Sequence, residues 1–196
     1  MGAHNTATGA SAPVDSAAAQ DFIARWSGTT ASELATAQSF VIDLCALLGV
    51  SKPGSEADYL FEERGTLVGG RVGYADVFKR KYFAWENKAP GKNLDAALRQ
   101  LLAYSLALDN PPLLVVCDRL TVRIHTQFNG YPSETHTIAL AELDRPEKLT
   151  LLRNVWTDPE RFRPRRTNRD ITDTAARSFA AVADQMRQRG NDAEQV

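Results

Sequence analysis

Between Ser32 and Leu48 the apolar residues Leu34, Ala37, Val41, Leu44 and Leu48 recur at intervals of three and four, with Ser32 as N-cap and Gly49 as stop. This spacing predicts an amphipathic helix. A shorter helical pattern carrying Phe22, Ile23 and Trp26 precedes it and ends near Ser27-Gly28. The cluster Ser51-Lys52-Pro53-Gly54-Ser55 then predicts a loop. From Tyr59 to Glu86 the period changes: Gly69-Gly70 opens a run rich in Val, Tyr and Phe, interrupted by Lys79-Arg80-Lys81. Two strands joined by a basic turn are expected, with Glu62 lying upstream near a helix end. If the hairpin is symmetric about Lys81, Asp76 lies across from Glu86 on the same face, within roughly 5 Å.

After Ala89-Pro90-Gly91, the residues Leu94, Leu98, Leu101, Leu102 and Leu108 predict a helix that ends before Asn110-Pro111-Pro112. Leu113 to Cys117 is a continuous apolar run, as in a buried strand, and Thr121 to Thr126 alternates Val122 and Ile124 with polar residues, as in a strand with one solvated face. Asp158 to Arg169 holds five arginines and two prolines and predicts a linker. Ala175, Phe179, Val182, Ala183 and Met186 then form an apolar helical stripe that stops at Gly190. The stripe needs a partner that a short core does not supply. The resulting fold class is α/β, a mixed central sheet flanked by helices, followed by a C-terminal linker and helix. Residues 1–19 are expected as a flexible leader, 20–156 as the main domain and 157–196 as the linker and the start of a further helical segment.

A chain of 196 residues that is 43% apolar can bury one ordinary core. Its 23 basic and 24 acidic residues leave a net charge of −1, so contact with nucleic acid requires a local patch. Cys45 and Cys117 have no zinc-like spacing and read as buried thiols in a reducing compartment. No apolar run approaches the roughly 20 residues needed to span a bilayer, and the first residues lack a signal pattern. A soluble, cytoplasmic protein without membrane contact is expected.

Asp76, Glu86 and Lys88 form the pattern D-x9-E-x-K. Two carboxylates can bind a hard divalent cation, which polarises a scissile phosphate and lowers the pKa of attacking water. The lysine can position that water and neutralise charge developing on the phosphorane. The alternative for Glu86-Asn87-Lys88 is a solvated strand end with an ordinary ion pair. Gln100 and Tyr104, one helical turn apart, face the same way and can reach a phosphate or the lysine; alternatively they mark the boundary of an amphipathic helix. Glu62 is a candidate third carboxylate, or a plain solvated one. Lys79, Arg80, Lys81 and Lys92 would give a positive rim for DNA phosphates. A basic turn also serves solubility. His125 and His136 lack metal-ligand spacing.

Several segments carry a resemblance. Phe22-Ile23-Ala24-Arg25-Trp26, the run Glu33 to Phe40, Asp43 to Val50, Tyr59-Leu60-Phe61-Glu62, Asp76-Val77-Phe78-Lys79-Arg80 and Phe83-Ala84-Trp85-Glu86-Asn87-Lys88 occur in an order similar to the amino-terminal region of MmeI-like type IIL restriction-modification enzymes. Phe162-Arg163-Pro164, Thr172, Ala175-Ala176, Phe179-Ala180 and Arg187 to Gly190 are similar to the segment leading into their helical spacer. The resemblance implies a PD-(D/E)XK nuclease core that cleaves double-stranded DNA with Mg²⁺, or with Mn²⁺ as a substitute. It also implies downstream partners in one polypeptide: a helical spacer, an adenine methyltransferase using S-adenosylmethionine, and a target-recognition domain. Only the nuclease region is expected here, since Asn110-Pro111-Pro112-Leu113 lacks the aromatic residue of a methyltransferase motif. Ala75 stands where the family name has proline, and Asn87 where a small apolar residue is common; neither position carries a metal ligand.

These observations point to a DNA endonuclease domain of a restriction-modification or phage-defence enzyme. The alternatives are a catalytically silent nuclease-like module that binds DNA or docks domains, and an unrelated domain whose triplet is accidental.

Overall fold

The computed structural model describes residues 16–28, 33–66 and 72–189. Its elements are α1 (Ser16–Ser27), α2 (Glu33–Leu48), β1 (Tyr59–Thr66), β2 (Val72–Lys79), β3 (Phe83–Asn87), α3 (Leu94–Tyr104), β4 (Leu113–Cys117), β5 (Thr121–Thr126), β6 (Thr135–Ala139), α4 (Pro146–Thr157) and α5 (Asn168–Gln188). The strands form one mixed sheet in chain order. Neighbours are antiparallel except β3 and β4, which run parallel and are joined through α3. This is the expected α/β class, with helices on both faces.

The residue pattern explains the layering. Every residue of β3 and β4 is buried, because these central strands carry helices on both sides. β5 buries every second residue, so one face meets the core and the other meets water. On one face Phe22 and Trp26 of α1, Phe40 and Leu44 of α2, and Trp156 of α4 pack over Tyr59, Phe83 and Trp85. On the other face α3 alone lays Leu94, Ala97, Leu101 and Tyr104 on Phe78, Ala84, Leu114 and Val116. Asn93 starts α3 by accepting a hydrogen bond from the Ala96 amide at 3.0 Å. Inside the larger cluster the Trp156 indole donates to the Tyr59 hydroxyl at 2.6 Å, and the Phe83 and Trp156 rings meet edge-on, 4.9 Å apart.

Five segments differ from the sequence expectation. Tyr59–Thr66 is a strand, so Glu62 lies within β1 and not near a helix end. Thr135–Ala139 and Pro146–Thr157 add a strand and a helix that the hydropathy pattern did not single out. Ser16 to Ala19 already belong to α1, with Ala19 fully buried, while residues 1–15 of the expected leader lie outside the described residues. The arginine-rich stretch is anchored to the body, because Phe162 enters the larger core with 3% exposure. α5 behaves as its stripe suggests: none of its described residues is buried, and Phe179 is 76% exposed.

Two stability measurements check this packing. Tyr59→Phe removes the acceptor of the buried Trp156 indole and is expected to cost about 1–3 kcal/mol in urea unfolding. Phe179→Ser is expected to change stability by less than about 0.5 kcal/mol, since the side chain leaves water for nothing. A large loss in the second variant would place α5 against the core.

Candidate active site

The β2–β3 hairpin pairs Val77 with Trp85, Phe78 with Ala84 and Lys79 with Phe83, so its register is symmetric about Lys81. Continuing that register puts Asp76 opposite Glu86. The main-chain ladder stops at this point, and the Asp76 carboxylate replaces it by accepting the Asn87 amide at 2.6 Å through Oδ2. Asp76 is half-buried and Glu86 is 4% exposed.

Three side chains hold Glu86. Lys88 Nζ donates to Oε1 at 2.6 Å, Gln100 Nε2 donates to the same oxygen at 3.1 Å, and the Tyr104 hydroxyl donates to Oε2 at 3.3 Å. Gln100 also donates to the Tyr104 oxygen at 3.3 Å, which ties the two α3 residues into one bracket. Burial and the nearby Asp76 charge push the Glu86 carboxyl up to about 7, against the pull of Lys88 and Tyr104. Burial and Glu86 also raise the Tyr104 phenol far above its ordinary range, so it remains a hydroxyl donor. The sequence-predicted Asp76, Glu86, Lys88, Gln100 and Tyr104 therefore converge on one site.

The other candidates are placed differently. Glu62 lies opposite Asp76 in β1, between the pairs Phe61 with Val77 and Glu63 with Ala75. Its backbone is left-handed at φ 58°, which interrupts the ladder. Its carboxylate meets Gln38 Nε2 of α2 at 3.4 Å, on the helix that packs on the face away from α3. Among the described residues no group of three His, Cys, Asp or Glu side chains is arranged to hold a metal.

The basic turn sits at the wrong end of the strands for the carboxylate pair. Lys81 precedes Glu86 by five residues, or about 16 Å of strand. Lys79 is held by Glu56 at 3.4 Å and by the rings of Tyr59 and Tyr82, and Arg80 pairs with Asp58 and Asp109. Lys92 alone of the four follows the β3 end that carries Glu86, in the loop leading to α3. This loop is fixed by a residue that the sequence motifs did not single out. Asp118, 6% exposed, accepts the Gly91 amide at 3.1 Å through one oxygen and the Leu120 and Thr121 amides through the other. An aspartate closing a turn after an apolar strand is the available signal. Asn87, likewise passed over, accepts the Trp85 indole at 2.9 Å through Oδ1 while its amide fixes Asp76.

Two hard carboxylates at the open side of a bracketed lysine suit Mg²⁺, which is commonly held by one or two carboxylates together with substrate phosphate and water. The raised Glu86 carboxyl fits as well, because a carboxylate buried beside a second carboxylate gains from a cation between them.

Comparison with known proteins adds two findings. The family described as MmeI, N-terminal domain, matches residues 16–189. A solved structure, the cryoEM structure of a DrdV–DNA complex, is similar at 19% identity with a TM-score of 0.45, covering 69% of this chain. This chain spans 13% of the length of that one. No curated protein matches the sequence.

The raised Glu86 carboxyl makes a signed prediction. Its pKa in the unfolded chain is near 4.5 and in the folded protein about 7, so ionised Glu86 opposes folding. The penalty is absent below pH 4.5, grows as pH rises towards 7, and is constant above that. Glu86→Gln is therefore expected to be more stable than the unaltered protein at pH 8, by up to about 3 kcal/mol, with the difference gone near pH 4.5. Denaturant midpoints across this range check it, and a difference independent of pH would refute it.

Proposed function

The chain belongs to the family of MmeI N-terminal domains, and from that premise we propose that it is a Mg²⁺-dependent DNA endonuclease domain hydrolysing phosphodiester bonds. One observation supports this above all others: Asp76 and Glu86 stand across one hairpin, and Lys88 lies 2.6 Å from Glu86 inside a bracket built by Gln100 and Tyr104. When bound between the carboxylates, Mg²⁺ would polarise the scissile phosphate and lower the pKa of the attacking water. Mn²⁺ is the expected substitute.

The chain's own residues divide the remaining work. Asp76, pinned by the Asn87 amide, offers a ligand whose position is set by the β3 backbone. Glu86 offers the second, and Tyr104 and Gln100 fix the carboxylate plane, so little reorganisation accompanies binding. Lys88 directly follows β3, two residues from Glu86 and on its side, and is 23% exposed. Its ammonium can orient a water and neutralise charge as the phosphorane forms. A phosphodiester can approach from the solvent side of Asp76 and Lys88.

By extension from the family, the whole protein would be a cytoplasmic restriction-modification or phage-defence enzyme. Its further parts would be a helical spacer, an S-adenosylmethionine-dependent adenine methyltransferase and a target-recognition domain. The exposed stripe of α5 would then be covered by that spacer.

The test is cleavage of plasmid DNA with and without Mg²⁺. Asp76→Ala is expected to abolish cleavage. Lys88→Ala is expected to lower turnover by about 10² or more. Cleavage retained in either variant would remove the assignment, and activity appearing only in a longer chain would locate a missing requirement downstream.

A further inference from the structure

At the β6 edge, an open cleft of about 530 Å³ lies between the start of β6 and the stretch Arg161–Arg166. Arg161, Arg163, Arg165 and Arg166 line it, with Glu134 and His136 on the strand side. Arg161 and Arg163 are fixed by acidic neighbours. Arg161 meets Asp158 at 3.2 Å, and Arg163 forms a two-pronged pair with Glu160 while stacking on Phe128 and Tyr131. Arg165 and Arg166 are exposed, and among the described residues neither has an acidic partner within ion-pair distance. The segment is held rigidly by buried Phe162, whose ring meets His136 edge-on at 5.3 Å. A second hollow, of about 370 Å³, shares Arg163 with this cleft and is bordered by Lys81 of the β2–β3 turn. The turn and the arginine stretch thus border one continuous surface.

We propose that this cleft is a docking surface for the phosphate backbone of duplex DNA, separate from the carboxylate pair. Its chemistry is that of backbone recognition: guanidinium groups on a fixed scaffold, an open shape, and a volume well beyond that of one phosphate. Arg165 and Arg166, neither of them in an ion pair among the described residues though Asp170 lies near Arg166 and Glu134 lines the cleft, supply the attraction that a chain of net charge −1 lacks overall. The register runs Glu86, Val116, Arg123, Thr137 across the sheet, so His136 is one residue from the level of Glu86. Three strand spacings separate them, about 14 Å. His136 pairs with Ile124, which lines the larger core, so the cleft opens on the side of Phe83 and Trp85, opposite the face that carries Glu86. The cleft would thus hold DNA away from the carboxylate pair, on the other side of the sheet. The nuclease proposal guides only the choice of ligand.

Binding of a short labelled duplex in EDTA, followed by fluorescence anisotropy over a salt series, tests this without cleavage. Arg165→Ala with Arg166→Ala is expected to lower affinity about tenfold and to reduce the slope of log affinity against log salt by about 2. Arg165→Lys with Arg166→Lys should retain most of both, because phosphate contacts accept either cation. Arg177→Ala with Arg187→Ala on α5 removes the same charge elsewhere and should leave both unchanged. Unaltered affinity in the first variant, an equal loss in the α5 variant, or no duplex binding by the unaltered chain would overturn the proposal. The two assignments separate cleanly. If Asp76→Ala leaves cleavage intact while the Arg165 and Arg166 effect holds, the cleft stands and the carboxylate site falls; the reverse pattern removes the cleft alone.

Discussion

Glu86 is a carboxylate with 4% exposure on a central strand of a six-stranded sheet, facing a second carboxylate across the hairpin. Burying such a group is unfavourable unless hydrogen bonds and an opposite charge compensate, and removing any one compensating partner leaves an unpaired charge. The surrounding structure supplies them from three directions. Lys88 comes from the residue after β3, Gln100 and Tyr104 from the crossover helix, and the Asn87 amide takes up Asp76 so that the second carboxylate is held as well. Even so, the carboxyl stays near 7, well above its ordinary value. A carboxyl with that much remaining attraction for positive charge is consistent with the proposed cation between the two carboxylates.

The fold makes this arrangement possible because β3 and β4 are parallel. A parallel pair needs a crossover, and here the crossover is α3, which lies on the face of β3 to which Glu86 points. The opposite face of the same strand carries Phe83 and Trp85 into the larger core with Tyr59 and Trp156. Alternation along five residues therefore gives β3 two different faces: a dry aromatic face that anchors it and a face that carries the Glu86 carboxylate. The anchored face limits how far the Glu86 carboxylate can shift when a ligand arrives.

The site was largely legible in the sequence, for a local reason. The symmetry of the hairpin about Lys81 follows from chain spacing alone, and Gln100 with Tyr104 follows from helical period, so Asp76, Glu86, Lys88, Gln100 and Tyr104 needed no tertiary information to be grouped. What the sequence concealed depended on edges. β1 contains Glu62, Glu63 and Arg64, which blur alternation, and β6 buries only Ile138 fully, so neither edge strand has the apolar signature of β3 or β4. At Glu62, a candidate third carboxylate, the left-handed backbone and the contact with Gln38 are features that no propensity announces. Phe162 was hidden among arginines and prolines, although that one side chain fixes the whole stretch to the core.

The basic residues show most clearly why proximity in sequence is a weak guide to proximity in space. Lys79, Arg80 and Lys81 lie within ten residues of Asp76 and Glu86, yet strand geometry carries them to the far end of the hairpin, where Glu56, Asp58 and Asp109 neutralise two of them. Arg163, 82 residues beyond Lys81, borders the same hollow. Charge that looks like a rim on the catalytic hairpin is thus part of a different surface, assembled from the β2–β3 turn and the stretch after α4. Around the carboxylate pair positive charge comes from Lys88, from Lys92 in the following loop, and from Arg123, at the level of Glu86 two strands away, where it pairs with Asp95 of α3 at 2.6 Å. On the proposed reading, attraction for a phosphate backbone and chemistry at a phosphate are thus divided between separate parts of the sheet.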